Sequence, residues 1–289
     1  MRQNGFPARI ALATDLSHRC DRAFDRALMV ADAWAAQLMI VHALAGAGDG
    51  NPPDPVRAVR ERIYRDMVRD MPGADISIHV ESGSPAPVIL DAAGKAGVGL
   101  IVTGVARDRP LMSMLLGDTV DRLVRKSPVP VLIVRDRAFE PYRTMVVATD
   151  FSVSARIALE TAVRFFPDTA ISLFHAYDVP FANYLGGSET ERRFEAHARG
   201  AAETFLAESN LPSEAVPTIE RRVEHGVPEA LLRDYARTSR RHLTVVGTHG
   251  GGLLYETVIG STARKIIDAV PGDVLLVPDP ARRKVNPAG

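Results

Sequence analysis

Short apolar runs alternate with amphipathic segments along the whole chain. In the second half, the runs with the length and composition of strands are TMVVAT (144–149), AISLFHAY (170–177), TIERRVEH (218–225), HLTVVG (242–247) and DVLLVP (273–278). Apolar runs that are separated by helices are typical of parallel strands covered on both faces. The pattern predicts a doubly wound α/β sheet in this half of the chain.

The segments between those runs carry apolar side chains at helical spacing. The predicted helices run from Ser152, a good N-cap residue, to about Phe166, over residues 188–208, from near Pro228, and from about Thr257 to Ala269. In the long segment 188–208, the apolar side is predicted to consist of Phe194, Ala198, Ala201 and Phe205.

The chain also repeats itself in a fixed order. The matching pairs are 8–17 with 143–152, 80–93 with 223–236, and 117–134 with 260–277. The offset changes only between these blocks, where loops would take insertions. We predict two tandem domains, 1–138 and 139–289, each long enough to bury its own core.

Composition narrows the class of protein. The chain has 289 residues, of which 35 are basic and 35 acidic. It therefore has no net positive charge that would favour binding to nucleic acid or to an anionic membrane. No apolar stretch reaches the roughly 20 residues that span a bilayer, and the N-terminus does not resemble a secretory signal. With Cys20 as the single cysteine, no internal disulfide is possible. These features predict a cytoplasmic protein.

A glycine-rich stretch, VVGTHGGGLLYETVIGST (245–262), follows one of the predicted strands. Its glycines permit close approach of backbone N–H groups to an anion, and Gly260, Ser261 and Thr262 open a helix whose N-terminus favours phosphate. A flexible loop before a well-capped helix would have a similar composition. The stretch lacks the glycine fingerprint of dinucleotide-binding proteins and the lysine of a P-loop, so a divalent cation is expected to bridge the phosphates.

These stretches resemble the universal stress protein family in its tandem two-domain form. The resemblance rests on ATDFS, LFHAY, VEHGVPEALL and the motif Gly-x2-Gly-x9-Gly-Ser, whose glycines are Gly247, Gly250 and Gly260. It implies a Rossmann-like fold of the adenine nucleotide alpha hydrolase type, with strand order 3-2-1-4-5 in each domain. It also implies a stress-response protein that binds ATP with Mg²⁺.

By position, the resemblance assigns the ATP-binding residues to Ala148, Thr149, Asp150, Ala176, Val246, Gly247, His249, Gly250, Gly260, Ser261 and Thr262. Alternative roles stay open for some of them. Asp150 would equally stabilise the N-terminus of the following helix, and His249 would equally be a solvent-exposed loop residue. His175 is interpreted as a packed structural histidine, because His42 occupies the same place in the first half.

The first half carries a degenerate version of the motif. Gly104 and Gly117 are kept at the right spacing, but Arg107 replaces Gly250 and Asp118 replaces Ser261. A large side chain and a negative charge would both oppose phosphate binding there. We therefore expect the first domain to bind ATP weakly or not at all, and Asp15 to cap its helix.

Several partners and functions follow as expectations. The last strands of the two domains, 129–134 and 273–277, are expected to pair edge to edge as an intrachain pseudo-dimer, and two such chains to form a homodimer. The main hypothesis is a nucleotide-dependent regulatory protein with unidentified protein partners and no catalytic residue. The alternatives are a slow ATP hydrolase, for which only Asp150 and His249 would serve, and a nucleotide-independent interaction module.

Overall fold

The computed structural model describes residues 5–44, 54–105, 117–179, 188–239, 242–248 and 259–280. The chain divides into two compact units, Met1–Pro141 and Tyr142–Gly289. The division lies close to the predicted domain boundary after residue 138. Each unit is described by itself below.

The first unit contains a five-stranded parallel sheet. Its strands are β1 (Arg9–Ala13), β2 (Gln37–Leu44), β3 (Ile76–Ser82), β4 (Leu100–Gly104) and β5 (Val131–Val134). Its helices are α1 (Asp21–Trp34), α2 (Pro55–Ile63), α3 (Pro85–Ala96) and α4 (Asp118–Lys126), with a 3-10 turn at His18–Cys20 and a π-helical turn at Tyr64–Val68. The strands lie in the order β3-β2-β1-β4-β5.

The second unit repeats this plan. Its strands are β6 (Thr144–Ala148), β7 (Ala170–Tyr177), β8 (Glu220–His225), β9 (Leu243–Gly247) and β10 (Asp273–Val277). Its helices are α5 (Val153–Phe165), α6 (Ser188–Glu208), α7 (Pro228–Thr238) and α8 (Ser261–Ala269), with a 3-10 turn at Val216–Thr218. The order β8-β7-β6-β9-β10, with all described pairs parallel, confirms the 3-2-1-4-5 arrangement.

The core of each unit is built from the central strands. Ile10 and Leu12 of β1, and Met145 and Val147 of β6, are fully buried. Helices cover these strands, since α1 packs on β1 and β4 while α5 packs on β9 and β10. Burying an aliphatic side chain of this size contributes roughly 1.5–3 kcal/mol, which explains why the strands lack the polar alternation of a half-exposed sheet.

Two details of the predicted helices are wrong. The last helix begins at Ser261 rather than near Thr257, because Gly260 has an extended ψ of 140° and acts as its N-cap. Phe194 was expected on the apolar side of α6, yet 38% of it is exposed. The buried side of α6 instead consists of Ala198, Ala202, Phe205 and Leu206.

Among the residues that the structure describes, none of the helices combines the length and the hydropathy needed to cross a membrane.

Candidate functional site

The chain turns sharply where β6 ends, in a segment that we call the second elbow (residues 149–152). Thr149 Oγ1 accepts a hydrogen bond from the Phe151 amide at 2.9 Å, and Asp150 Oδ1 accepts one from the Ser152 amide at 3.0 Å. Ser152 Oγ then accepts from the Ala155 amide at 3.2 Å and caps α5 as predicted. These bonds hold the exposed Asp150 carboxyl group at the carboxyl edge of the sheet.

Phe151 adopts a left-handed backbone conformation with φ of 62°. Such a conformation is costly for a residue other than glycine and persists only where surrounding contacts stabilise it. The Phe151 ring lies 4.2 Å from the ring of His175 and 5.5 Å from that of Phe205, centroid to centroid. The Phe151 side chain therefore packs against both rings at the second elbow.

His175 lies behind the second elbow on β7. Its Nδ1 is 2.9 Å from the carbonyl oxygen of Thr149. A carbonyl only accepts, so Nδ1 carries the proton in this contact. Burial lowers the pKa of His175, against smaller opposing effects of that hydrogen bond and of Asp150. The histidine is thus a neutral, packed residue, which supports its structural interpretation.

Gly247 ends β9 in a position where no side chain fits. A Cβ atom there would lie 2.8 Å from the backbone oxygen and 2.7 Å from Oγ of Ser154, in the first turn of α5. Ser154 is itself only 3% exposed. The first glycine of the predicted motif is therefore required by the packing of β9 against α5, whether or not a ligand is bound.

The N-terminus of α8 lies after the predicted phosphate loop. The Gly260 amide donates to the carbonyl of Thr248 at 2.9 Å, and the Thr248 amide donates to that of Val277 at 3.0 Å. The N-cap residue Gly260 has no side chain with which to cap this helix end, and Ser261 and Thr262 are exposed in its first turn. An uncapped N-terminus with exposed hydroxyl groups is an arrangement that suits an anion.

The second elbow and the start of α8 meet at one edge of the sheet. β6 and β9 are adjacent and parallel, with Val147 opposite Val245, so both strands end on the same side. Their carboxyl ends lead to Asp150 and, through Thr248, to Gly260. In a doubly wound sheet this edge, between the first and fourth strands, is where the strand order reverses and ligands bind.

The other predicted site residues divide into two groups. Ala148 ends β6, Val246 lies buried in β9, and Ala176 lies near the end of β7 opposite Glu224. His249 and Gly250 lie outside the described residues. The assignment of all five residues to ATP binding stays a prediction.

The first unit has nearly the same elbow, at residues 14–17. Leu16 has φ of 61°, its amide donates to Thr14 Oγ1 at 3.0 Å, and the Ser17 amide donates to Asp15 Oδ1 at 2.9 Å. His42 Nδ1 lies 2.9 Å from the Thr14 carbonyl oxygen, as His175 does from Thr149. The elbow is therefore a property of the fold that both units share.

Asp15 also accepts a hydrogen bond from a side chain of the first unit that is replaced by alanine in the second unit. The Cys20 thiol lies 3.1 Å from Asp15 Oδ1, while Ala155 takes the equivalent position in the second unit. Burial raises the pKa of Asp15, but hydrogen bonds from Ser17 and Cys20 outweigh it and leave that pKa below its ordinary value. Burial also raises the pKa of Cys20, so its thiol stays protonated near neutral pH.

The helix that follows the fourth strand also differs between the units. Gly117 caps α4 with φ of −57° and ψ of 155°, much as Gly260 caps α8. Asp118 then places an exposed carboxylate in the first turn, where α8 has Ser261. A carboxylate at that point interacts favourably with the helix dipole and repels a second anion. Arg107, the other predicted departure, lies outside the described residues.

Cations near the start of α8 already have acidic partners. Arg264 pairs with Asp268 at 3.3 Å, and Lys265 pairs with Glu229 at 3.5 Å. Within the described ranges, no three histidine, cysteine or acidic side chains cluster so as to hold a metal ion by themselves.

Three residues that shape the site were not predicted from the sequence. Ser154 meets Gly247, Thr248 holds the Gly260 amide, and Phe151 takes the strained position of the elbow. For Phe151, the internal repeat gives a partial indication, because a bulky residue follows the aspartate in both halves. The other two depend on contacts between distant segments, for which spacing gives no sign.

The fold and the site describe a protein of two tandem doubly wound α/β domains, with a candidate anion site in the second domain. The model of the universal stress protein family matches residues 8–135 and again 141–278. The chain belongs to the universal stress protein family, in its tandem two-domain form.

Individual relatives agree with this assignment. A universal stress protein of Thermus aquaticus is 34% identical over 133 residues, which cover 44% of this chain and 97% of that protein. A functionally unknown protein of Pseudomonas aeruginosa PAO1 has a similar structure, with a TM-score of 0.73 at 20% identity, covering 98% of this chain and 96% of that one. A universal stress protein of Archaeoglobus fulgidus DSM 4304 has a TM-score of 0.68 at 18% identity, covering 96% and 99%. The two structural likenesses show the fold.

Proposed function

We propose that the second unit binds ATP, with Mg²⁺, at the edge formed by the second elbow and the N-terminus of α8, and that the protein acts as a nucleotide-dependent regulator in the stress response. The supporting observation is the start of α8. Its N-cap residue is a glycine with no capping side chain, it carries two exposed hydroxyl residues, and Gly260 links it to Thr248 after β9, at the same edge of the sheet as Asp150.

Different residues would bind the phosphates, the ribose and the adenine of the nucleotide. The phosphates would lie at the first turn of α8, against its amides and the hydroxyls of Ser261 and Thr262. Asp150, exposed at the same edge, would accept hydrogen bonds from ribose hydroxyls or from water bound to the metal ion. Backbone groups at Ala176 would meet the adenine edge. The rest of the proposed set consists of Ala148, Thr149, Val246, Gly247, His249, Gly250 and Gly260.

Magnesium fits this site through the phosphates rather than through a cluster of protein ligands. The paired states of Arg264 and Lys265 leave the phosphate charge to be offset chiefly by the helix end and by a cation. Mg²⁺ keeps several waters and binds phosphate oxygens readily. When bound, it would neutralise the triphosphate, while Asp150 would position its water shell.

Native mass spectrometry of gently purified full-length protein, followed by calorimetric titration with ATP and Mg²⁺, tests this function. We expect bound nucleotide, or binding on titration, for the wild type and a large loss for the Gly250→Arg, Ser261→Asp double variant. A wild type that carries no nucleotide and gives no binding heat would overturn the proposal. Intact triphosphate retained over hours would support a binding role, whereas prompt conversion to ADP would indicate a hydrolase.

The first unit supplies the matched control. The Arg107→Gly, Asp118→Ser double variant restores the motif in the first unit at the two positions where it departs. A second binding event in this variant would show that the degenerate motif alone prevents binding there. Unchanged stoichiometry would show that the first unit has lost further parts of the site.

A further inference from the structure

Helix α6 of the second unit consists of two unlike halves. In its C-terminal half, Ala198, Ala202, Phe205 and Leu206 are at most 4% exposed and pack on the unit. In residues 191–197, Glu195 is half-buried and the other side chains are exposed. Since helices in proteins gain most of their stability from tertiary packing, this half gains little stability from contacts within the described part of the unit.

Gly200 lies near the middle of α6 and is exposed. A Cβ atom at this position would meet nothing within 4 Å among the described residues. Glycine destabilises a helix interior relative to alanine, and no contact inside the described part of the unit requires it here. A missing side chain does, however, allow another chain to approach the backbone closely.

A groove of about 510 Å³ runs along this side of α6, between that helix and the start of α5. Its described lining consists of Phe151, Arg156, His197, Gly200, Ala201, Thr204, Phe205 and Glu208. The Arg156 guanidinium lies 5.6 Å from the centroid of the Phe205 ring and pairs with Glu208 at 2.6 Å. Its Nε is buried and has no hydrogen-bond acceptor among the described residues. The groove thus combines an apolar floor with a charged end.

The side of α6 that lines the groove extends into the exposed half of the helix. Arg193, Phe194 and His197 precede Gly200 and Ala201 at spacings of three, four and seven residues, which place them on one side of a helix. Phe194 is 38% exposed, and Arg193 is exposed without an ion-pair partner among the described residues. One continuous side of α6 therefore carries a cation at its N-terminal part, small residues in the middle and Glu208 at its end.

We propose that this side of α6 binds α6 of a second copy of the chain, antiparallel, with the two helices crossing between Gly200 and Ala201. In a two-fold contact, positions equally far from the crossing point meet. Arg193 then lies opposite Glu208 of the second copy, His197 lies opposite Thr204 of the second copy, and small residues face each other at the crossing. A parallel contact would place Arg193 against Arg193.

The charge pattern favours a second copy over an unrelated partner, because Glu208, which pairs with Arg156 of its own chain, would also face Arg193 of the second copy. The described part of the first unit has no equivalent of this helix side. Its corresponding helix α2 has nine residues, PVRAVRERI, and no glycine. The proposed contact goes beyond nucleotide binding and does not depend on it.

Sedimentation velocity of the full-length chain over a range of concentrations tests the contact. We expect the wild type to reach the mass of two 31.3 kDa chains, and Gly200→Arg to weaken association by more than about a hundredfold, since two large side chains would enter the crossing. Arg193→Glu alone should weaken association about tenfold, and the Arg193→Glu, Glu208→Arg double variant should recover most of that loss. Because Gly200 faces open space, Gly200→Arg is expected to fold normally, which circular dichroism would verify.

Cysteine cross-linking gives a second readout in a Cys20→Ala background. Ala201→Cys, at the crossing, should form an intermolecular disulfide on mild oxidation. Arg199→Cys, an exposed position away from the groove, should not. A single-chain mass at every concentration, a dimer that Gly200→Arg leaves unchanged, or equal cross-linking of both cysteine variants would each overturn the proposal.

Discussion

The two units share one elbow and differ at the end of the site where phosphate would bind. Thr14–Ser17 and Thr149–Ser152 make the same backbone turn, in which the threonine and the aspartate accept the same amide hydrogen bonds and a histidine makes the same contact. An aspartate held in this way therefore stabilises the fold of both units and says little about a ligand by itself. Evidence for a ligand has to come from positions where the units differ.

Three described differences distinguish the units. Ser261 stands at the start of α8 where Asp118 stands at the start of α4. Gly247 has no room for a side chain, whereas the nearest atom to a Cβ on Gly104 would be at an ordinary 3.5 Å. Cys20 donates to Asp15, whereas alanine occupies the equivalent position near Asp150. The first difference concerns the proposed ligand, and the other two concern packing and the elbow.

The largest effect is expected from Ser261→Asp, which gives the second unit the residue of the first. A unit charge about 4 Å from a phosphate costs on the order of 4 kcal/mol at an effective dielectric of 20, and solvent screens part of it. We expect ATP affinity to fall at least about a hundredfold in calorimetry, with no loss of thermal stability, because an acidic residue suits a helix N-terminus. In the matched variant Asp118→Asn, ATP affinity should not change.

A smaller effect is expected from Gly247→Ala, which adds a methyl group against the Ser154 backbone. Overpacking of this kind costs about 1–3 kcal/mol, so the free energy of unfolding should fall by that amount in urea denaturation. Gly104→Ala should change it by less than about 0.5 kcal/mol, since its Cβ makes ordinary contacts. Equal losses in the two variants would contradict the packing role assigned to Gly247.

The pH dependence of stability should reflect His175. Its pKa in the folded protein is lowered from the ordinary value of 6.5, chiefly by burial, so the unfolded chain takes up the proton first as the pH falls. The free energy of unfolding should therefore decrease with acidification below pH 6.5. His175→Gln should flatten this dependence in denaturation series at several pH values. A dependence that survives the substitution would exclude His175 as its source.

His42→Gln is the matched variant for the hydrogen bond alone. It removes the same contact to a threonine carbonyl in the first unit. Its cost at neutral pH should be about 1 kcal/mol, the usual contribution of such a bond.

The smallest effect is expected from Cys20→Ala, which makes the first elbow more like the second. Loss of the thiol donor should raise the pKa of Asp15, since that hydrogen bond helps to keep it low. The stabilisation from Asp15 is present above its ordinary value of 3.8 and is lost as the pH falls through its folded pKa, so the loss should begin at a higher pH in the variant. NMR titration of the Asp15 carboxyl carbon would measure the shift, and an unchanged pKa would contradict this role of Cys20.

Much of the fold could be predicted because hydrophobic periodicity follows burial. The strand at 170–177 and the helix at 188–208 have the predicted bounds, and the strand order implied by the family resemblance is confirmed. The start of α8 was predicted too early because the residues before Gly260 include apolar ones, whereas the N-cap backbone geometry lies at Gly260. Phe194 was misplaced because periodicity cannot tell a core-facing side from one that projects beyond the unit.

The site was less accessible to prediction. Gly247 was interpreted through its place in a motif, whereas its contact with Ser154 depends on how closely β9 approaches α5 in space. The left-handed backbone of Phe151 recurs at Leu16, which has no ring, so it follows from the turn that both elbows make and not from the residue type at that position. The assignment of Ser261 and Thr262 to phosphate binding stays a prediction for experiment.

The most direct test of the central claim is photoaffinity labelling of the full-length protein with an azido-ATP, followed by peptide mass spectrometry. We expect one label per chain, confined to peptides of the second unit, displaced by unlabelled ATP and lost in Ser261→Asp. Specific labelling of the first unit, or no displaceable labelling at all, would contradict it.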